Sequence, residues 1–135
     1  MFEKNSYTCY LLIQLPLFII LLFLLAACSK PDKEYAVIKG TTNHHEWEVP
    51  GLKVYIKKNA PTFPGFNSAV YDDSTVSVSS ERFKAPFVFR YLEPGDYYLM
   101  ANGYDTLFGM PVKGALGVSI YDNYEIKNVQ LIVSE

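Results

Sequence analysis

The apolar residues of this chain are unevenly distributed, and one long apolar segment limits what the remainder can fold into. Residues 11–27 read LLIQLPLFIILLFLLAA and carry no charged side chain. Such a segment is a transmembrane helix, a buried core helix or the apolar core of a signal peptide. A core helix has a polar face, which this segment lacks, and it is slightly shorter than the roughly 20 residues of a comfortable membrane span. The segment therefore predicts a targeting or anchoring sequence, and the folded domain must come from the residues after it.

The residues that end the apolar segment distinguish the alternatives. Leu25-Ala26-Ala27-Cys28 resembles the bacterial lipobox, in which a signal peptidase cuts before a cysteine whose sulfur carries diacylglycerol. The resemblance implies that residues 1–27 are a signal peptide and that residues 28–35 are the lipidated cysteine and a polar tether. Two or three acyl chains anchor a protein permanently, at about 0.8 kcal/mol per buried CH₂. The alternative is an uncleaved helical anchor, which a Cys28→Ser protein that stays in the membrane would favour.

Charge and cysteine content limit the partners of this chain. It has 12 Lys and Arg against 14 Asp and Glu, a formal net charge of −2, whereas a nucleic-acid binder has clustered basic residues. With Cys9 removed and Cys28 acylated, no disulfide can form. We therefore expect a lipid-anchored protein of the bacterial outer membrane that binds no nucleic acid. Asp32 and Glu34 resemble an acidic surface-export signal that lysines interrupt, so the periplasmic face and the cell surface both stay open.

Residues 36–135 have the pattern of a single β domain. Apolar and polar side chains alternate in short segments, and no window has a helical period. The predicted strands cover 35–42, 52–57, 68–79, 87–90, 97–101, 115–122 and 129–133. Pro-Gly pairs at 50–51, 64–65 and 94–95 predict type II turns, in which glycine takes a positive φ. About seven strands in this length are typical of a β-sandwich, and Gly114 and Gly117 inside one strand segment predict a bulge.

One segment of the domain resembles a known family. Residues 87–99 read FVFRYLEPGDYYL, which resembles the F-x-F-x-x-L-x-P-G-x-Y-x-L signature of carboxypeptidase regulatory-like domains. Residues 50–56 resemble an earlier turn and strand of that family, and Gly40-Thr41-Thr42 fits its first strand. The resemblance implies a seven-stranded transthyretin-like, or Ig-like, sandwich that accompanies enzymes or receptors and does not hydrolyse peptides. Two departures concern local turns: Ala85 stands where the family usually has glycine, and the loop 59–73 is longer and more aromatic.

The residue types of a metal or catalytic site occur, but not in the required patterns. Adjacent side chains in a strand point to opposite faces, so His44 and His45 are not expected to chelate one ion, and residues 44–48 are interpreted as a polar hairpin loop. Asp72-Asp73 and Asp105 lack the spacing of a calcium loop and are interpreted as turn formers. The serines lie outside any nucleophile elbow. The sequence thus predicts no catalytic residue, no metal and no cofactor.

Aromatic residues make up 16% of the chain, and several lie in predicted loops. Exposed rings stack on sugars and are frequent at protein interfaces, but a small sandwich without disulfides also needs rings for its own packing. The sequence leaves these three roles open. The candidates for a binding surface are Trp47, Phe63, Phe66, Tyr71, Tyr104 and Phe108.

These observations together predict a non-enzymatic, membrane-anchored lipoprotein. Its β-sandwich would act as an interaction or accessory module that presents one aromatic loop face to a protein partner in the cell envelope. The alternative is a carbohydrate-binding accessory lipoprotein, in which the same loop aromatics stack on a glycan.

Overall fold

The computed structural model describes residues 34–79 and 84–135, which belong to one compact unit. This part of the chain contains eight β-strands and a short 3-10 helix at Ser68–Val70. The strands are β1 (Ala36–His44), β2 (Trp47–Glu48), β3 (Lys53–Lys58), β4 (Asp73–Val76), β5 (Pro86–Leu92), β6 (Gly95–Asp105), β7 (Met110–Ile120) and β8 (Ile126–Val133). The predicted signal peptide, the lipidation site Cys28 and most of the tether lie outside the described residues. Within the described ranges, no helix has the length and apolar character needed to cross a bilayer.

The strands form two four-stranded sheets that pack into a sandwich. In the first sheet, β1 pairs antiparallel with β5 and with β2, and parallel with β8 along its whole length from Val37 to His44. The second sheet is antiparallel, in the order β4-β3-β6-β7. One core lies between them, and its residues from both sheets include Ile38, Phe87, Leu131, Val54, Leu99 and Val118. The all-β sandwich predicted from the sequence is confirmed, and β2 is a two-residue addition to the seven expected strands.

The sandwich has two ends, which we name from the direction of β1. At the proximal end, β1 begins and lies beside the β5–β6 turn (93–94) and the β7–β8 loop (121–125), since Ala36 pairs with Leu92 and Val37 pairs with Ile126. At the distal end, β1 ends beside the β6–β7 loop (106–109) and the turn 45–46. The nine residues of β1 separate the two ends by about 30 Å, at roughly 3.3 Å per residue.

The residues that carry the family resemblance are core and turn residues. Phe87, Phe89, Leu92, Tyr97 and Leu99 are all buried, because they point inward from β5 and β6. The Tyr97 hydroxyl donates a 2.6 Å hydrogen bond to the Glu93 carbonyl and ties down the turn between these strands. The glycines of the three Pro-Gly pairs have the predicted positive φ, at 84°, 96° and 153°. A turn is present at residues 50–51, but the prediction of type II turns is wrong for the other two pairs. Residues 64–65 lie in irregular backbone, and Gly95, whose φ is far from the 80° of a type II turn, begins β6.

Two other glycines are required by close approach of strands. A Cβ at Gly40 would lie 2.5 Å from the Phe87 ring. A Cβ at Gly114 would overlap the carbonyl oxygen of Ile132, where β7 passes the end of β8. The predicted bulge at Gly114 and Gly117 is wrong, because β6 and β7 pair without a break over their whole length. The register shift instead lies between β1 and β5, opposite Val37.

The predicted strands are present but differ in their bounds from those in the structure, as three of them illustrate. The segment 68–79 divides into the 3-10 helix and β4, because the Asn67 side chain accepts a 3.1 Å hydrogen bond from the Ala69 amide and starts a turn there. The segment 115–122 belongs to β7, which begins at Met110 directly after a short loop and ends at Ile120. The first strand continues to His44 rather than ending at residue 42.

Candidate functional site

The distal end is built around a buried pair of polar side chains. His44 Nδ1 lies 2.8 Å from Asp105 Oδ2, and both side chains are only 2% exposed. The other carboxylate oxygen accepts hydrogen bonds from the amides of Leu107 (2.8 Å) and Phe108 (3.2 Å). Burial raises the pKa of Asp105, but the hydrogen bonds from His44 and the two amides lower it by a larger amount. The pKa therefore lies below its usual value. The carboxylate is therefore ionised at neutral pH and holds the 106–109 loop in place.

This arrangement differs from the polar hairpin loop predicted for residues 44–48. His44 is buried at the end of β1, while His45 has a φ of 54°, which ends the strand alternation. The two rings therefore stack, with centroids 4.3 Å apart, instead of pointing to opposite faces. Phe108 packs its ring against both, at 5.3 and 5.6 Å. Asp105 does form a turn, as predicted, but it is also the buried partner of His44, a pairing across 61 residues that no local pattern indicates.

The His44–Asp105 pair is enclosed by its surroundings. Among the described residues, no group of three or more His, Cys, Asp or Glu side chains could hold a metal ion. In the same part of the chain, every buried side-chain nitrogen and oxygen has a hydrogen-bond partner. A ring that is 2% exposed also offers no access to a substrate.

Exposed side chains from residues next to this pair, in β2, β6 and the turns 45–46 and 106–109, form what we call the distal surface. Its members are His45, Trp47, Tyr104, Leu107 and Phe108, and the four apolar ones are 43–67% exposed. Trp47 lies on β2 as the cross-strand partner of His44. The Tyr104 hydroxyl donates a 2.6 Å hydrogen bond to the Gly109 carbonyl. The backbone under these side chains is thus held by specific hydrogen bonds.

The β2 strand that carries Trp47 is itself fixed to the first sheet. A Glu48 carboxylate oxygen accepts a hydrogen bond from the amide of Ala85, the residue that stands where the resembled family usually has glycine. Thr42 adds a 2.6 Å hydrogen bond from its hydroxyl to the Val49 carbonyl. Ala85, one of the departures from the family pattern, is therefore held by a contact with the Glu48 side chain.

The other three predicted aromatics lie on the outer face of the second sheet. The Phe63 ring contacts Phe66 at 4.8 Å and Tyr98 of β6 at 5.5 Å between centroids. Tyr71 lies 5.9 Å from Tyr55 of β3, its hydroxyl donates to the Gly65 carbonyl at 2.8 Å, and burial raises its pKa. The long loop thus packs its rings onto the sheet and not onto the distal surface.

The packing of this loop explains a buried residue that the main core does not include. Met100 is 0% exposed, although strand alternation turns it away from Leu99 and Ala101 and onto the outer face. Its neighbours across the sheet are Tyr55 and Ala115. Tyr71 contacts Tyr55 in this row, and Phe63 contacts Tyr98, two residues before Met100 in β6, so the loop rings lie on this part of the outer face. The structure therefore places the six candidate aromatics in two groups, with Trp47, Tyr104 and Phe108 at the distal end and Phe63, Phe66 and Tyr71 over the sheet.

The proximal end carries exposed tyrosines that were absent from the predicted set. Tyr91, Tyr121 and Tyr124 are 74%, 80% and 70% exposed, and we call them the proximal tyrosines. Tyr91 lies opposite the register shift with a φ of 59° and contacts Tyr35 edge to face at 5.7 Å. A sequence signal existed for the other two, because they flank Asp122-Asn123, a pair of turn-forming residues between two strands.

The surface of the described residues includes two shallow clefts. One, of about 280 Å³, is lined by Asn102, Pro111, Val112, Lys113 and Glu135. The other, of about 230 Å³, lies at the proximal end and is lined by Lys58, Asn59, Tyr91, Glu93, Pro94 and Tyr97. Neither lining includes a serine, threonine, cysteine or histidine, and neither His44 nor Asp105 lines either cleft.

Comparison with known proteins bears on the fold. No family model and no curated protein matches the chain. Among solved structures, it is similar to the major pilin subunit BcpA of Bacillus cereus, with a TM-score of 0.50 and 12% sequence identity. The match covers 76% of this chain but only 30% of the pilin subunit. At this identity the likeness concerns the architecture alone, and it agrees with an all-β sandwich.

Proposed function

We propose that this chain is a non-catalytic interaction module, anchored to a bacterial outer membrane through acyl chains on Cys28, whose distal surface binds a protein partner in the cell envelope. The observation that carries the proposal is the distal surface itself, a set of exposed aromatic and apolar side chains next to the buried, hydrogen-bonded His44–Asp105 pair. The family resemblance to carboxypeptidase regulatory-like domains supports the same role, because such domains accompany other proteins and perform no hydrolysis.

The rigidity of the distal surface favours binding. A surface that is already ordered loses less conformational entropy on association, and Asp105 orders the loop that carries Leu107 and Phe108 through two amide hydrogen bonds. Trp, Tyr and Phe are enriched in the well-packed centres of protein interfaces. Trp47 is 53% exposed, so its ring is available to a partner without any change in the fold.

The non-catalytic part of the proposal rests on access. The His44–Asp105 pair has the chemistry of a base and its orienting carboxylate, but catalysis needs a nucleophile or substrate within hydrogen-bond reach of the base. The ring is buried, and its neighbours Phe108 and His45 close it from the outside. The pair is therefore best explained as a support for the distal surface.

The anchor rests on the sequence Leu25-Ala26-Ala27-Cys28. Its test is the mass of the amino-terminal peptide of the protein purified from membranes, which should begin at Cys28 and carry two or three acyl chains. A Cys28→Ser protein should lose this modification. If the purified protein instead retains residues 1–27 as an uncleaved helix, the lipoprotein assignment is wrong.

The partner is tested by recovery from solubilised envelopes with quantitative mass spectrometry. The wild-type protein should recover a protein in an amount that saturates with bait concentration, and Trp47→Ala should reduce this amount at least about tenfold, the effect of an interface hot spot. Tyr124→Ala is the matched control, since it removes an exposed ring at the other end of the sandwich. Equal recovery by all three proteins would contradict a role of the distal surface.

The second candidate is glycan binding, favoured by the exposed Trp47 ring, because pyranose rings stack on exposed aromatic faces. A glycan array separates the two functions. Binding that is lost with Trp47→Ala would replace the protein partner by a carbohydrate, and Phe66→Ala tests whether the rings over the second sheet take part.

A further inference from the structure

We propose that the proximal end of the sandwich rests on the membrane surface, with the proximal tyrosines in the lipid headgroup layer. This inference depends on the proposed anchor at Cys28 and adds an orientation and a second binding surface to it. The occupant is the bilayer that carries the anchor.

The proximal tyrosines lie at the end of the domain where the chain enters it from the tether. Tyr91 precedes Leu92, which pairs with Ala36 at the start of β1. The loop with Tyr121 and Tyr124 is joined to the same strand by a 2.9 Å hydrogen bond from the Val37 amide to the Glu125 carbonyl. All three rings are therefore close to the first described residues of the chain.

The length of the tether limits how far this end can leave the bilayer. Cys28 and Tyr35 are seven residues apart in the sequence, and seven residues reach at most about 25 Å even when fully extended. An acylated Cys28 thus keeps the proximal end within this distance of the lipid, whereas the distal end can lie about 30 Å further away along β1. Because the tether makes contact with lipid intramolecular, individually weak interactions suffice for docking.

The chemistry of this end suits the headgroup layer. Tyrosine has an apolar ring and a polar hydroxyl, and it is enriched where membrane and water meet. Ile126, 56% exposed, adds apolar surface beside the rings. A strongly acidic surface would oppose the contact, but the carboxylates of the β7–β8 loop are engaged locally. Glu125 accepts hydrogen bonds from the Tyr121 amide and the Lys127 ammonium group, at 2.8 and 2.9 Å.

The backbone at Tyr91 supplies a second observation. Its φ of 59° lies in the left-handed region, which glycine and asparagine enter far more readily than an aromatic residue. The ring is 74% exposed, so burial in the core does not compensate for this conformation. Backbone strain of this kind typically persists at functional positions. A lipid contact gives this exposed tyrosine a reason to occupy the position.

The test uses an introduced tryptophan as a depth probe in the acylated protein, reconstituted into phosphatidylcholine vesicles with brominated acyl chains. This is possible because the chain has a single tryptophan, Trp47, which can be replaced. In a Trp47→Phe background, Tyr121→Trp places the only indole at the proximal end, and Tyr104→Trp is the matched tyrosine replacement at the distal end. We expect the bromolipid to lower the fluorescence at position 121 at least about twofold, as for a ring at the headgroup boundary, and to leave position 104 unchanged. Adding Tyr91→Ser and Tyr124→Ser to the Tyr121→Trp protein should weaken the quenching.

The outcomes separate this inference from the function on which it rests. If the protein carries acyl chains on Cys28 and floats with the vesicles but shows no quenching at position 121, or equal quenching at positions 121 and 104, docking is refuted and the anchor stands. If Cys28 is not acylated, the anchor and the docking both fail. Quenching at position 121 that the Tyr91→Ser and Tyr124→Ser changes do not weaken would show proximity imposed by the tether alone and would also overturn the proposal.

Discussion

The distal and proximal ends of the sandwich both expose aromatic rings, but the backbone beneath them is held in different ways. At the distal end, a buried carboxylate pairs with a buried histidine from another strand and orders the adjoining loop. At the proximal end, exposed side chains bond to amides within their own loop, as Asp122 does to the Tyr124 amide at 2.9 Å. A buried charge depends on its partner far more than an exposed one does. The distal surface is therefore expected to be coupled more strongly to the stability of the domain than the proximal tyrosines are.

The most direct test of this difference between the two ends is to remove one carboxylate from each. Asp105→Ala leaves buried His44 and two amides without their acceptor, so the free energy of unfolding should fall by about 3–5 kcal/mol. Asp122→Ala removes an exposed turn bond and should cost about 1 kcal/mol or less. Urea unfolding followed by Trp47 fluorescence measures both. Equal losses would show that the ends do not differ.

Acidification should reveal the same difference without a large change in structure. Folding lowers the pKa of Asp105 from its unfolded value of 3.8. The ionised carboxylate therefore contributes its full stabilisation above pH 3.8, and this contribution is lost as the pH falls through the lower pKa of the folded protein. Each unit by which the pKa is lowered corresponds to about 1.4 kcal/mol of stability. Melting temperatures measured from neutral to acid pH should therefore fall less steeply for Asp105→Asn than for the wild-type protein.

The proximal end offers a control for this acid effect. The pKa of Glu125 is also lowered, by the hydrogen bond from the Tyr121 amide first and by Lys127 second. This carboxylate and its Lys127 partner are partly exposed, so salt screens their ion pair more than it screens a buried pair. High salt should therefore reduce the acid effect of Glu125→Gln and leave that of Asp105→Asn in place. A salt-sensitive Asp105 effect would contradict the burial of the distal pair.

A smaller effect of opposite sign is expected at Tyr91. Asparagine tolerates a positive φ better than tyrosine, so Tyr91→Asn should raise the free energy of unfolding by up to about 1 kcal/mol in detergent solution, where no bilayer is present. Tyr124, which does not have a positive φ, is the control position, and Tyr124→Asn should bring no such gain. A loss of stability in Tyr91→Asn would mean that the contact with Tyr35 outweighs the strain.

The smallest effects on stability are expected for the exposed rings. Trp47→Ala and Tyr104→Ala should each change the unfolding free energy by about 0.5 kcal/mol or less, measured by circular dichroism because the first variant has no tryptophan. This result is needed for the binding experiments, since a loss of partner recovery can then be attributed to the distal surface. A large loss at Trp47 would instead show that its ring supports the fold.

Much of the fold follows from local patterns in the sequence. Alternation in residues 52–57 and 97–101 reports directly which side chains of β3 and β6 face the core, because successive side chains in a strand point to opposite faces. The glycine of each Pro-Gly pair likewise takes the positive φ that its residue type favours, although of the three pairs only residues 50–51 form a turn. Strand ends were predicted less well, as at Asn67, where a side-chain hydrogen bond starts a 3-10 turn inside a predicted strand.

Only part of the candidate site could be predicted from the sequence. Loop aromatics such as Trp47 and Phe63 are visible as residue types, but whether a ring packs on the sheet or faces solvent depends on where a long loop folds. Tyr91 lies within the strand that carries the family resemblance, and its exposure could not be predicted locally. The register shift that turns it outward depends on how β5 pairs with β1.

By itself, the sequence determined the all-β class and the positive φ of the glycine in each Pro-Gly pair, since each depends on residues that are neighbours in the chain. Only the tertiary structure decided that His44 meets Asp105, that Gly114 passes against Ile132, and that tyrosines from two separate loops gather at the end where the chain enters the domain. These contacts join residues far apart in sequence, and their energies depend on burial, which exists only after the two sheets have packed.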